Sequence, residues 1–112
     1  MATVDECREA LRRLAARLDA NADQVRERVN LDRSLACRVS DLDVAFHGRL
    51  AGGRLHDLTD GDDQRAKIRL TAHSDDLVAL VDGQLDVGKA LAARRISINA
   101  NPFDLLKLRK LL

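Results

Sequence analysis

Residues 66–112 read AKIRLTAHSDDLVALVDGQLDVGKALAARRISINANPFDLLKLRKLL, and the fold is decided there. Ile68, Leu70 and Ala72 alternate with polar neighbours, the period of a strand with one buried face, and the run ends at His73. Ser74 follows with Asp75 and Asp76 behind it. That order predicts a helix capped by the Ser74 hydroxyl, its two acids at the positive end of the helix dipole. Leu77, Leu80 and Val81 recur at helical spacing, and Gly83 closes the helix. Asp86 is placed to cap a second short helix carrying Val87, Ala90 and Leu91. Ile96, Ile98 and Ala100 then alternate with Arg95, Ser97 and Asn99 as another strand, and Asn101-Pro102 supplies a cap and a first-turn proline for a last helix. Nearly every element presents aliphatic residues to a shared interior, so the segment reads as the wall of an apolar container.

Toward the N-terminus, residues 59–65, TDGDDQR, have no periodicity and predict a mobile connection. Gly52-Gly53 is a two-residue hairpin signal between a strand with Val44, Phe46 and Leu50 on one side and a strand beginning Arg54-Leu55-His56. Leu35, Cys37 and Val39 share one side of the preceding strand, with Asp41 in the connection. The polar stretch from Asn21 to Asp32 has room for one short helical turn. Ahead of it, Thr3 and Glu6 form a capping-box pattern, and Val4, Cys7, Leu11, Leu14, Ala15 and Leu18 make a helical stripe. Arg8, Glu9, Arg12, Arg13 and Arg17 surround that stripe as a charged, solvated surface. The order is helix, three strands, crossover, strand, two helices, strand, helix. This predicts a single α+β domain over 1–112, with a five-stranded sheet and the helices on one face.

The chain's 112 residues suffice for one core. Nineteen basic and 18 acidic side chains leave a net charge of +1, so no global field recruits nucleic acid. With two Phe and no Tyr or Trp, base-stacking platforms are missing as well. No charged-then-apolar leader pattern opens the sequence, and the longest aliphatic run, Leu77 to Val81, is too short to cross a bilayer. The expectation is a soluble, cytoplasmic protein with at most transient membrane contact. Cys7 and Cys37 are expected to be reduced, buried thiols.

Catalytic signatures are missing: there is no GxSxG, HExxH, P-loop or dinucleotide glycine pattern. If Gly52-Gly53 makes the tight turn, Arg49 falls opposite His56 and His47 opposite Leu58, which gathers His47, Arg49 and His56 on the outer face. An interposed arginine and the lack of a carboxylate there argue against a metal site. Asp62-Asp63 and Asp75-Asp76 are adjacent pairs whose side chains diverge. The expectation is therefore a chain that is not an enzyme and needs no cofactor or metal. Phe46, Leu50, Leu70, Leu77, Leu80, Val81, Leu85, Leu91, Ile96 and Ile98 form an interior that either a filled core or a ligand cavity would satisfy. In the last helix, Leu105, Leu108, Leu111 and Leu112 fall on one side, while Phe103 and Leu106 fall on the other among Lys107, Arg109 and Lys110. Two apolar faces fit a lid, a dimer contact or a membrane-touching edge.

The stretch KIRLTAHSDDLVALVDGQLDVGKALAARRISINANPFDLLKL resembles the sterol carrier protein type 2 family, the SCP2-like sterol-binding domains. The likeness lies in a strand running into Ser-Asp-Asp-Leu, then Leu-Val-Asp-Gly-Gln-Leu-Asp, a short Ala-rich helix, and a final strand before a Leu-rich helix. It covers the C-terminal half, and the helix and meander before it agree in order. The resemblance implies noncatalytic carriage of a sterol, fatty acid or acyl-CoA in an aliphatic tunnel between sheet and helices, with the terminal helix over the opening. It implicates Leu77, Leu80, Val81, Leu91, Ile96, Ile98, Leu105, Leu106 and Leu108 as lining, to which the residue patterns add Phe46, Leu50, Leu70 and Phe103. Arg94 and Ala100 stand where the family commonly has glycine, and Leu91 where a bulky aromatic is often found, which implies a narrower or partly filled tunnel. The alternative is the same fold with a filled core, serving as a self-association or protein-interaction module, with a homodimer as one form it can take.

Overall fold

The computed structural model describes residues 1–28 and 31–111, with the side chains of 28 and 108–111 outside that description. Helix α1 (Val4–Ala20) opens with the expected capping box: Glu6 N–H donates to Thr3 Oγ1 at 3.1 Å, and Thr3 N–H donates to Glu6 Oε1 at 3.2 Å. Its inward face buries Cys7, Ala10, Leu11 and Leu18. Helix α2 (Ala22–Arg28) is longer than the single turn expected, because Asn21 closes α1 by donating to Arg17 O while its own carbonyl accepts from Val25.

Strands β1 (Asp32–Val39), β2 (Val44–Ala51) and β3 (Arg54–Asp60) form an antiparallel meander. Strand β4 (Ile68–Ala72) returns to pair parallel with β1, and β5 (Ile96–Asn99) pairs antiparallel with β4, giving the order β3-β2-β1-β4-β5. A parallel neighbour cannot be reached by a tight hairpin, which is why a crossover follows β3. Thr59 and Asp60 belong to β3 rather than to that crossover. The rest of it is tied down where Arg69 donates to Asp63 O and to both carboxylate oxygens of Asp62. Helices α3 (Ser74–Val81), α4 (Val87–Ala92) and α5 (Pro102–Leu111) complete the chain. Asp86 caps α4 through Lys89 N–H, and Asn101 Oδ1 accepts from Phe103 N–H at the start of α5. Arg94 takes φ +59, a left-handed conformation that glycine adopts without steric cost.

Side-chain rows run across the helix-facing side of the sheet. Phe46, Cys37, Leu70 and Ile98 make one row, and Gly48, Leu35 and Ile68 the next. Val44, Val39, Ala72 and Ile96 make a third on the other flank. The opposite side stays polar and wet, carrying Asp32 with Arg49, Arg38 with Asp43 and Asp62 with Arg69 as ion pairs.

Two expectations are corrected. Arg49 faces His56 as anticipated, but His47 faces Thr59 instead of Leu58. Strand β3 carries an extra residue there, with Asp57 at φ +55, and this bulge turns Leu58 from the outer side of the sheet to the inner one. The bulge closes on Gly48, where a Cβ would come within 2.8 Å of His56 O.

The second correction concerns α3. His73, not Ser74, is its N-cap residue, and it makes no side-chain capping bond. Ser74 is wholly buried; its N–H donates to Asp41 Oδ1 at 2.8 Å and its hydroxyl to Asp41 Oδ2 at 2.6 Å. The capping acceptor therefore comes from the β1–β2 connection. The Ser74 hydroxyl bond, outweighing partial desolvation, holds the Asp41 carboxyl below the usual carboxylate range. A depressed folded-state pKa contributes stability above the unfolded value and loses it as pH falls through the folded one. Below about pH 4, the thermal midpoint should therefore fall more steeply in the wild type than in Asp41→Asn. At neutral pH the variant should melt lower. Circular dichroism melts across the acid range read both effects, and parallel curves would remove Asp41 from the pH response.

Candidate functional site

The apolar residues form two packed clusters. Cys7, Leu11, Val39, Phe46, Ala72, Leu77, Ala90 and Ile96 belong to the larger, and Leu18, Leu31, Leu50 and Ile68 to the smaller. A cavity of about 280 Å³ lies along their junction. Its ceiling is α1, through Leu11, Leu14, Arg17 and Leu18, together with Leu77, Leu80 and Val81 of α3 and the following Gly83. Its floor is the first two sheet rows, with Leu50, Leu55 and Leu58 at the meander edge and Ala36 and His47 contributing from the strands. Gly48 lies opposite Leu35, and the space a side chain there would take is filled by the β3 backbone at His56 and by Leu55. Leu14, Leu35, Leu55, Leu58, Leu70 and Leu80 remain only half-buried because they border the cavity. An aliphatic wall offers water few partners, so the space favours apolar contents. Its volume is near the low end of ligand pockets, roughly 300–1,000 Å³.

Of the residues singled out from the sequence, Phe46, Leu50, Leu70, Leu77, Leu80, Val81 and Ile98 border the cavity. Leu91 and Ile96 do not. The β4–β5 register sets Ile98 beside Leu70 but Ile96 beside Ala72, one row further on, where Ile96 packs in the larger cluster and Leu91 against it. Phe103 and Leu106 are exposed and Leu105 is half-buried; none of the three lines the wall. Helix α5 packs near α2 and turns Asp104 inward to Arg33, so its residues 102–107 are not a lid on this cavity. Leu108, Leu111 and Leu112 lie outside the residues whose side chains are described.

Leu11, Leu14 and Leu18 join the lining although sequence reasoning missed them: a helical stripe marks residues for burial and does not tell a packed core from a cavity wall. The same reasoning missed Leu58, which reaches the cavity through the β-bulge, and Arg17. The Arg17 guanidinium donates from Nη1 to Val81 O at 2.9 Å. It has no carboxylate partner among the described residues, whereas Arg13 one turn away pairs with Asp82 at 3.1 Å. On the β3 side, Arg8 grips both carboxylate oxygens of Asp60, at 3.1 and 2.8 Å, and stands 6.0 Å from the centroid of the Phe46 ring. That grip holds the Asp60 carboxyl below its ordinary range.

Burial pushes the Cys37 thiol up to about 12, and burial with the nearby Asp41, Glu6 and Asp75 charges raises Cys7. Both therefore stay protonated and weakly nucleophilic. His47 Nδ1 donates to Gly61 O and His56 Nε2 to Ala51 O. No group of three or more metal-type ligands converges among the described residues.

The family model described as the SCP-2 sterol transfer family matches residues 6–112. No curated protein matches the sequence. Among solved structures, sterol carrier protein 2 like 2 from Aedes aegypti superposes with a TM-score of 0.71 at 17% identity, covering 96% of each chain. Aedes aegypti sterol carrier protein 2 in complex with palmitate gives 0.70 at 18% identity, covering 99% of this chain and 96% of that one. A stereoselective inverting sec-alkylsulfatase from a Pseudomonas species gives 0.67 at 22% identity over 88% of this chain, which spans only 15% of the sulfatase.

Proposed function

The chain belongs to the SCP-2 sterol transfer family, and from that premise we propose that its cavity carries a single-chain lipid, a fatty acid or similar acyl ligand, without chemical change to it. The observation behind this reading is the aliphatic cavity of about 280 Å³ with Arg17 among its lining residues. The small volume favours a flexible chain over a rigid ring system. Palmitate in the Aedes aegypti structure agrees with that choice. Affinity comes from apolar burial, about 25 cal/mol per Å², less the cost of association. Arg17 orients the ligand by donating to its carboxylate.

Protein purified under native conditions is expected to release a stoichiometric apolar molecule on denaturing mass spectrometry, and added palmitate should displace a fluorescent fatty acid. Failure of both removes the reading. Arg17→Ala should weaken palmitate roughly ten-fold, the lower end of what a charge-assisted hydrogen bond contributes at a part-exposed site. Hexadecanol, which has no carboxylate, should lose far less. Equal losses for both ligands would make Arg17 a structural residue only.

A further inference from the structure

Among the described residues, Met1, Phe103 and Leu106 are the large apolar side chains left in water, at 81%, 74% and 60% exposure. Phe103 and Leu106 stand three residues apart on α5 and share a face, with exposed Lys107 beside them. The acid of this helix points elsewhere: Asp104 is 5% exposed and accepts from Arg33 Nε at 3.0 Å. Its charge is thus neutralised inside the fold. The sequence beyond it, LLKLRKLL at 105–112, has three cations and no acid. A two-fold contact through Phe103 and Leu106 would bring the two copies of Lys107 together, whereas an anionic bilayer answers both its charge and the apolar pair. Only Asn99, Ala100 and Asn101 separate α5 from Ile98 in the cavity wall, so a surface that holds α5 also lies near that end of the cavity.

We propose that α5 docks the protein on anionic lipid surfaces, with Phe103 and Leu106 entering the headgroup layer and Lys107 facing lipid phosphates. This surface is separate from the cavity and does not depend on what the cavity holds. The test is sedimentation of the full chain with vesicles of phosphatidylcholine alone or mixed equimolar with phosphatidylglycerol, with no fatty acid added. Binding is expected only to the mixed vesicles and should weaken as salt is raised. Lys107→Glu should weaken it roughly ten-fold, and Phe103→Ser with Leu106→Ser should abolish it. Both variants should keep the wild-type melting temperature and fatty-acid displacement, because the replaced side chains are exposed and outside the cavity. Equal binding to neutral vesicles, no binding by the wild type, or full binding by the double variant overturns the proposal. So does a dimer, seen by light scattering, that the double variant dissolves while no vesicle binding occurs.

Discussion

Leu70→Trp is expected to weaken fatty-acid binding about a hundred-fold while leaving the protein folded, with a melting temperature near that of the wild type. Leu70 sits between Cys37 and Ile98 in the cavity floor and is only half-buried. An indole there enters the space a ligand would use. Each ~55 Å² of apolar contact denied to the ligand costs about 1.4 kcal/mol, or ten-fold in affinity. A tryptophan that displaces about 100 Å² of contact therefore accounts for the expected loss. In a filled core the same substitution would overpack and cost about 1–3 kcal/mol in stability. Displacement of a fluorescent fatty acid, measured beside a thermal melt, separates the cases. Unimpaired binding by a folded Leu70→Trp would sink the cavity as the ligand site.

The largest stability effect is expected at Phe46. Its ring is 2% exposed, lies in the larger cluster and in the cavity wall, and has the Arg8 guanidinium above it. Phe46→Ala should cost about 3–5 kcal/mol, toward the upper figure because the void merges with existing space that the structure has not closed. Domains of this kind are stable by only about 5–15 kcal/mol, so the variant should be unfolded in part at moderate temperature. Phe46→Leu, which keeps most of the apolar volume, should lose less than half as much. Urea unfolding of the two variants is the measurement, and a loss below about 1.5 kcal/mol for Phe46→Ala would mean that the ring is not part of the packed core.

Local features were legible because they depend on neighbours in the chain. The Thr3–Glu6 capping box, the Asp86 and Asn101 caps and the alternation of Ile68, Leu70 and Ala72 each involve residues a few positions apart. Ser74 shows where that logic stops. A serine followed by two acids looks like a cap, yet the cap of α3 is supplied by Asp41, 33 residues away, and the serine is the donor. Leu58 shows the same limit in a strand. Simple alternation assigned it to the outer side of the sheet, and one extra residue at Asp57 reversed that.

The periodicities alone determined an α+β chain with five strands and helices packed on an aliphatic side, and the SDDLVALVDGQLD pattern pointed to the family. Whether the aliphatic side closes on itself could not follow from them, since a leucine in a filled core and a leucine on a cavity wall obey the same alternation. Tertiary structure decided it through the turn of Leu58 inward, the approach of α1 and the row that separates Ile98 from Ile96. It also placed Phe103 and Leu106 in water by turning Asp104 to Arg33. The physical reason is that periodicity specifies which side of an element is apolar, whereas an empty volume is what remains between several such sides once register and packing have set their distance.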